Sequence, residues 1–271
     1  MTSTLLLAAA LTDRGRLRPR NEDAFALDVE SGIGVVADGM GGHPGGDVAS
    51  DIAARTTMSA LRDALARPRP PEANGSGAVR DEAMHASVLR AHEAIRARGR
   101  EEIRLAGMGT TATALVLDAR ARRFSIVHVG DSRAYRLRDG RLDQITRDDT
   151  WVQERVEAGM LSAEEAERHP MRHLLTQCLG LDETPRPAVH AGAVEDADVF
   201  LLCSDGLVAC LTPSEIGTIL ADELDGTDDG ARKAVEALVA AANRAGGVDN
   251  ITALVMAPAP AGLRSPPPPG G

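Results

Sequence analysis

Short apolar runs along the chain have the length and the punctuation of β-strands. Helices need roughly ten residues to bury one face, whereas these runs are shorter and are bounded by Gly, Asp or Arg. Most are joined by short turns, which favours antiparallel sheets with local connections. We predict strands at residues 33–37, 111–117, 124–129, 134–137, 199–203 and 251–256.

Helical spacing of apolar residues appears in two long stretches between the first two strands and again near the end of the chain. Residues 67–77, rich in Pro, Gly and Ser, predict a surface loop between the two long helices. Thr212, Pro213 and Glu215 supply the cap, the first-turn proline and the capping-box glutamate of a later helix. Sheets bordered by helix pairs predict a layered α+β sandwich. The apolar positions are Ile52, Leu61 and Leu65, then Met84, Val88, Ala91 and Ile95, and last Val235, Leu238, Val239 and Ala242.

Residues 148–178 break the strand pattern. They predict a short helix at 152–158 that ends at Gly159, followed by a second capping box formed by Ser162 and Glu165. This segment is therefore expected to stand apart from the sheets.

The two ends of the chain give different expectations. Residues 5–11 form an apolar run without a preceding basic region, far short of the ~20 residues of a membrane span, so we predict a strand and neither secretion nor insertion. Residues 258–271 are rich in proline and predict a disordered tail. With 271 residues and no earlier break in composition, the remaining residues 1–257 are predicted to form one domain.

Composition excludes some partners and indicates a compartment. A net charge of −10 argues against a nucleic-acid or an anionic-membrane partner. Cys178, Cys203 and Cys210 are odd in number and lack Cys-x-x-Cys spacing, which is typical of buried thiols in a reducing cytoplasm.

Three aspartates stand in similar local sequences. Asp38 and Asp205 follow an apolar run and precede Gly, and Asp249 precedes Asn and an apolar run. Carboxylates at strand ends point into a shared cleft, and Mg²⁺ and Mn²⁺ prefer such oxygen ligands. Asp-Gly is also a common tight-turn pair, as we predict for Asp139-Gly140. For any one of the three acids taken alone, a turn is the simpler interpretation.

The neighbouring residues change that balance, because six blocks occur in a fixed order over about residues 8–256. In this order they resemble the bacterial branch of the metal-dependent protein phosphatase 2C family. The blocks are Arg18-x-x-Asn21-Glu22-Asp23, Asp38-Gly39-Met40-Gly41-Gly42-His43, Gly109-Thr110-Thr111, Val129-Gly130-Asp131-Ser132-Arg133, Ser204-Asp205-Gly206-Leu207 and Asp249-Asn250-Ile251-Thr252.

The resemblance implies a fold and a set of metal ligands. The fold is an α+β, four-layer α-β-β-α sandwich of two antiparallel sheets flanked by helices, with residues 148–178 as a flap beside the active site. Two to three Mn²⁺ or Mg²⁺ ions are implied. Asp38 would bridge two ions, the Gly39 carbonyl would bind one, Asp205 and Asp249 would hold the other, and Asp131 would serve a third, weaker site.

The same resemblance implies roles around the ions. Glu22 and Asp23 would orient coordinated waters. Arg18 would grip two phosphoryl oxygens with its planar fork. His43 would protonate the departing alkoxide as a general acid, or contact the substrate instead.

The flap departs from the family pattern. Asp149, Thr150 and Trp151 stand where a His-Ser pair is usual, and Gln177 and Cys178 replace a usual Arg-Ala. These changes leave the metal acids intact and leave the substrate preference open. Trp151 is predicted to pack against the flap helix. His128, inside a strand pattern, is predicted to be a core histidine.

The favoured hypothesis is a cytoplasmic, monomeric Ser/Thr protein phosphatase. It would act on phosphorylated proteins and oppose a bacterial Ser/Thr kinase. One alternative is a catalytically silent phosphoprotein-binding scaffold, which should have lost metal acids. Another is a phosphatase for an anti-sigma-factor antagonist or a small phosphate ester.

Overall fold

Two five-stranded antiparallel sheets form the centre of the molecule. The computed structural model describes residues 6–42, 44–67 and 76–260, the side chains of 76–80 excepted. The first sheet has the strand order β1-β10-β9-β6-β7, and the second has the order β2-β3-β4-β5-β8. The strands are β1 (Leu6–Asp13), β2 (Asp23–Asp28), β3 (Ile33–Asp38), β4 (Ala112–Asp118), β5 (Arg123–Val129), β6 (Arg133–Arg138), β7 (Arg141–Gln144), β8 (Ala188–Ala193), β9 (Val199–Cys203) and β10 (Ile251–Pro258).

Helices cover the outer face of each sheet. Helices α1 and α2 pack on the second sheet, and α6 and α7 pack on the first. A third apolar cluster fills the space between the two sheets. The predicted four-layer α-β-β-α sandwich is therefore confirmed. The helices are α1 (Gly46–Leu65), α2 (Ser76–Glu101), α3 (Trp151–Glu157), α4 (Ala163–Arg168), α5 (Asp205–Val208), α6 (Pro213–Glu223) and α7 (Asp228–Arg244).

Alternate side chains of a strand point to opposite faces of the sheet, so one strand contributes to two apolar clusters. In β3, Val35 and Ala37 pack with the helices, whereas Val36 belongs to the cluster between the sheets. Gly34 lies on that inner side, where a Cβ atom would come within 2.8 Å of the Leu254 side chain. The two sheets therefore approach closely where β3 lies against β10.

The strands and helices predicted from periodicity are confirmed, with three corrections. Strands β2 and β8 and the short helix α5 had not been predicted. Helix α2 begins at Ser76, so the loop predicted for 67–77 is wrong at its end, and residues 68–75 lie outside the described residues. Strand β10 continues through Pro258, and Ala259 is buried against Leu7 and Ala231. The prediction therefore places the start of the tail too early. Residues 261–271 lie outside the described residues.

The segment predicted as a flap contains α3 and α4, and its two ends lie side by side. Trp151 donates a backbone hydrogen bond to Leu174, and Thr176 donates one to Asp149. Trp151 stacks on His169 and Arg155 at ring distances of 5.1 and 4.9 Å, so it packs within the flap as predicted. No helix of the described residues is both long and apolar enough to cross a lipid bilayer.

Candidate active site

One end of the sandwich collects acids from both sheets. Asp23 and Asp38 are cross-strand partners where β2 and β3 pair. Asp205 is the first residue of α5 directly after β9, Asp249 precedes β10, and Asp131 lies in the turn between β5 and β6. The topology thus brings together the five aspartates that the sequence placed in five separate blocks.

These carboxylates raise one another's pKa. The pKa of Asp38 lies well above its usual value because the side chain is desolvated and because Asp23, Asp205, Asp131 and Asp249 surround it with negative charge. The pKa of Asp131 is raised in the same way, by burial and then by Asp205 and Asp148. Bound cations would remove this repulsion.

Asp23 has one satisfied oxygen and one free one. Its Oδ2 accepts hydrogen bonds from the hydroxyls of Ser204 and Thr252, both at 2.7 Å. Its Oδ1 is buried and has no partner among the described residues. Burial, partly offset by the two hydroxyls, raises its pKa to about 7. An orphaned buried carboxylate oxygen fits a coordinated water or a cation better than an apolar core.

Arg18 contacts one of the predicted metal ligands. Its Nη2 donates to Asp249 Oδ2 at 2.6 Å, while Oδ1 of the same carboxylate accepts the Asn250 backbone N–H at 2.8 Å. The Arg18 side chain is 40% exposed to solvent. Its guanidinium is therefore held at the acidic cluster and still open to solvent.

Two threonines hold the backbone of Asp38. The Asp38 N–H donates to Thr111 Oγ1 at 2.9 Å, and Thr110 Oγ1 donates to the Asp38 carbonyl at 2.8 Å. Thr111 also shares a hydrogen bond of 2.7 Å with Ser132, next to Asp131. The Gly-Thr-Thr block thus positions two acids, a role that its sequence did not reveal.

The sequence analysis also did not predict that the Asn250 side chain holds the loop around Arg18 in place. Its Oδ1 accepts the Glu22 N–H at 2.9 Å, and its Nδ2 donates to the carbonyls of Arg14 and Arg20, both at 2.8 Å. Arg18 and Glu22 are therefore presented by a loop that closes around one amide side chain. Only a tertiary contact could have revealed this.

The glycines that follow Asp38 and Asp205 have a different role from the glycine of an ordinary tight turn. Asp139 and Gly140 have positive φ values of 51° and 76°, so they form the hairpin turn that the sequence predicted. At Gly39 a Cβ atom would lie 2.3 Å from the Gly46 carbonyl oxygen, and at Gly206 one would lie 2.0 Å from that of Asn250. Here glycine allows backbone segments of the site to touch, and the turn interpretation does not apply.

The flap reaches the acidic cluster. His173 Nδ1 lies 3.7 Å from Asp205 Oδ2. Two of the unusual flap residues contact each other, because Gln177 donates to Asp149 Oδ1 at 3.2 Å. Asp149 Oδ2 in turn accepts the Gly130 N–H at 3.0 Å. Gln177 and Asp149, two of the departures from the family pattern, therefore belong to one hydrogen-bonded group at the base of the flap.

The donor set suits hard ions that keep waters. Among the described residues, no group of three His, Cys, Asp or Glu side chains is arranged to hold an ion by itself. Mg²⁺ and Mn²⁺ retain several waters and need only one or two carboxylates each, so spaced aspartates fit them and would not fit zinc. His43 lies outside the described residues.

The remaining sequence predictions concern the core. His128 is completely buried, and its Nδ1 lies 2.9 Å from Thr113 Oγ1, as predicted for a core histidine. Cys178 and Cys203 are buried free thiols, and Cys210 is half-buried.

Comparisons with known proteins agree with this architecture. The family model described as protein phosphatase 2C matches residues 18–226. The chain is 39% identical to the serine/threonine protein phosphatase PstP of Mycobacterium tuberculosis, covering 93% of this chain but only 45% of that relative. It is 33% identical to the serine/threonine phosphatase stp of Listeria welshimeri, covering 90% of this chain and 93% of the relative.

A solved structure gives the same result in three dimensions. The catalytic domain of PstP in complex with 2 manganese ions aligns with a TM-score of 0.75 at 34% identity, covering 93% of this chain and 97% of that one. The similarity in sequence and the similarity in structure each cover at least 90% of the chain, and the family model matches residues 18–226. The chain therefore belongs to the protein phosphatase 2C family.

Proposed function

We propose that this chain is a metal-dependent protein serine/threonine phosphatase. The observation that carries the proposal is the convergence of Asp38, Asp205 and Asp249, from different parts of the chain, at one end of the sandwich. Membership of the family and similarity to relatives named as Ser/Thr phosphatases support it. Two or three Mn²⁺ or Mg²⁺ ions, when bound, supply an activated water nucleophile and neutralise phosphoryl charge.

Asp38 would bridge two ions with its carboxylate, and the Gly39 carbonyl would contribute a further oxygen. Asp205 and Asp249 would hold the second ion, and Asp131 a third and weaker one. Glu22 and Asp23 would orient waters through hydrogen bonds. Asp23 suits this role because its free Oδ1 is buried in the cluster while Ser204 and Thr252 fix its other oxygen.

Arg18 would bind the phosphoryl group of the substrate. Its Nη2 pairs with Asp249 Oδ2 at 2.6 Å. Because the guanidinium is held at the acidic cluster and is open to solvent, its planar fork would grip two phosphoryl oxygens there. His43 remains our prediction for the general acid that protonates the leaving alkoxide of Ser or Thr.

The substrates would be phosphorylated proteins, including those of a bacterial Ser/Thr kinase and the kinase itself. The buried free thiols of Cys178 and Cys203 support a reducing cytoplasm as the compartment. We propose a monomer as the active form. A catalytically silent scaffold is disfavoured because none of the matched acids is missing.

Hydrolysis of a neutral phosphothreonine peptide by the purified chain tests the proposal. Phosphate release is measured with Mn²⁺, with Mg²⁺ and with a chelator, alongside Asp205→Asn. We expect turnover that requires the ion and falls by at least about a hundredfold in the variant, because a charged ligand is lost. Equal turnover in chelator would contradict the metal dependence, and equal turnover in the variant would show that the metal site is elsewhere.

A further inference from the structure

A groove of about 320 Å³ lies beside the candidate active site and has no role in the proposed chemistry. It runs between the C-terminal half of α2, the turn after that helix and the segment that follows the flap. Its walls combine apolar and basic side chains with one acid, Asp182. They include Ile95, Arg96, Arg100, Leu105, Met108 and Leu181.

The groove is a local positive site in an acidic protein. Arg96 and Arg100 lie one helical turn apart on the same face of α2. No carboxylate of the described residues pairs with Arg100. Arg96 is 3.4 Å from Asp182 and 3.8 Å from Glu93. The Asp182 side chain is fully exposed and that of Glu93 is 60% exposed, so both ion pairs are weak and exchangeable. Both guanidinium groups are therefore available to an incoming anion, although the chain carries a net charge of −10.

The other arginines of this region do not share that availability. Arg98 Nη2 lies 2.6 Å from the Glu102 carboxylate, and Arg104 also pairs with Glu102. Neither lines the groove. The contrast indicates that Arg96 and Arg100 form a specific feature of the groove and are not part of a general basic surface.

The apolar walls favour a side chain over a free ion. Leu105 and Met108 are buried, while Leu181 is 37% exposed at the rim. An Asp or Glu side chain can place its methylene groups on such a wall and its carboxylate on the arginines. A small inorganic anion would leave the apolar wall unused.

The backbone of the groove continues directly into the site. Met108 stands two residues before Thr110, which donates to the Asp38 carbonyl at 2.8 Å. Thr110 also pairs with Leu179 through hydrogen bonds of 3.1 and 2.8 Å, and Leu181 follows two residues later. At roughly 3.5 Å per extended residue, the groove lies on the order of 10 Å from Asp38.

We propose that this groove binds an acidic side chain of the phosphoprotein substrate, about three or four residues from the phosphorylated residue. The inference rests on the proposed function, because it names a substrate feature for the same site. The phosphoryl group occupies the acidic cluster with its ions, and the substrate chain extends over the protein surface from there to the arginines. The enzyme thereby selects acidic sequences.

Matched phosphothreonine peptides test the proposal. Each pair differs only by Glu or Ala at one position, three to five residues before or after the phosphothreonine, and kcat/KM is measured with Mn²⁺. We expect the Glu peptide at one or two positions to be favoured about three- to tenfold, mainly through KM, as for a partly shielded ion pair. Raising the ionic strength should reduce the ratio.

Charge reversal provides the decisive comparison. In Arg100→Glu the Glu/Ala ratio should fall below one, and a Lys peptide should be favoured instead. In Arg98→Glu, the matched control outside the groove, the wild-type ratio should persist. A wild-type ratio of one at every position, or equal changes in both variants, would overturn the inference while leaving the phosphatase proposal standing. Absence of hydrolysis of every peptide would overturn both.

Discussion

The side chain of Asn250 shows how an uncharged residue can organise a charged site. It joins three backbone groups of the loop that carries Arg18 and Glu22, and its own N–H is held by Asp249. The proposed metal ligand Asp249 and the loop proposed to bind phosphate are therefore fixed relative to each other. Because every one of these bonds is partly shielded from solvent, their loss cannot be fully replaced by water.

Asn250→Ala should weaken both folding and activity. Three side-chain hydrogen bonds are lost, which corresponds to a decrease of about 2–3 kcal/mol in the free energy of unfolding. Because Arg18 loses its support, kcat/KM should fall more than stability alone explains at a temperature where the variant is folded. Urea denaturation and peptide hydrolysis measure the two effects. Normal kcat/KM in the folded variant would separate Asn250 from phosphate binding.

The buried carboxyl of Asp23 predicts a pH dependence of the metal-free protein. Its pKa in the folded state is about 7, against roughly 3.9 in an unfolded chain. The folded state therefore binds the proton more tightly, so its contribution to stability is complete below about pH 4 and is lost as the pH rises towards 7.

Denaturation in chelator between pH 4 and 7.5 measures this effect. Stability of the wild type should fall with pH across the window, and Asp23→Asn should flatten the slope. Part of the slope should survive in the variant, because Asp38 and Asp131 also have raised pKa values. Identical slopes in the two proteins would show that Asp23 titrates normally.

The sequence predicted which residues are candidates for the site, but it could not predict which of them contact one another. The blocks containing Asp38, Asp205 and Asp249 pointed to metal ligands, since each block carries its own acid followed by Gly or Asn. That Asp23 pairs with Asp38 depends on strand register, and that Asn250 reaches Arg14 and Arg20 depends on loops far apart in the chain. Local patterns carry no information on such contacts.

At the scale of elements, strand prediction succeeded where both faces of a strand are buried. All residues of β9 and β10 are buried, so their apolar runs are continuous. Strand β8 reads Ala-Val-His-Ala-Gly-Ala and is partly exposed along its length, so it has neither a continuous run nor a clear alternation. It is a strand because β5 offers a free edge, which is a property of the sheet.

Two helices with the same capping chemistry should respond differently to its loss. Thr212 and Ser162 both form capping boxes, with Glu215 and Glu165. Helix α6 is part of the core beneath the first sheet, so Thr212→Ala should lower the global free energy of unfolding by about 1 kcal/mol.

Helix α4 belongs to the flap, where Ala166 is its one buried residue. Ser162→Ala should leave global stability nearly unchanged and increase hydrogen exchange of the flap amides. Denaturation and hydrogen-exchange mass spectrometry compare the pair. An equal loss of global stability in both variants would show that the flap unfolds together with the sandwich.

At the scale of the whole molecule, the sandwich brings repelling charges together at one end. Both sheets end there, and each contributes acids whose pKa values are raised by burial and by one another. The apolar layers between and outside the sheets must supply the stability that this cluster removes. Such a distribution is expected where a site is built to receive cations.

Asp38→Asn should therefore reverse the order of stability when metal is added. In chelator at neutral pH, the variant should be more stable than the wild type by about 1–2 kcal/mol, because one buried negative charge is removed from the cluster. With Mn²⁺ at about a hundred times its dissociation constant, the wild type should gain about 2.7 kcal/mol. The variant, lacking the carboxylate proposed to bridge the ions, should gain much less and should not hydrolyse phosphopeptides. Thermal unfolding of both proteins with and without Mn²⁺ measures this reversal in the order of stability. A variant that is less stable than the wild type in chelator would mean that the Asp38 carboxylate stabilises the fold.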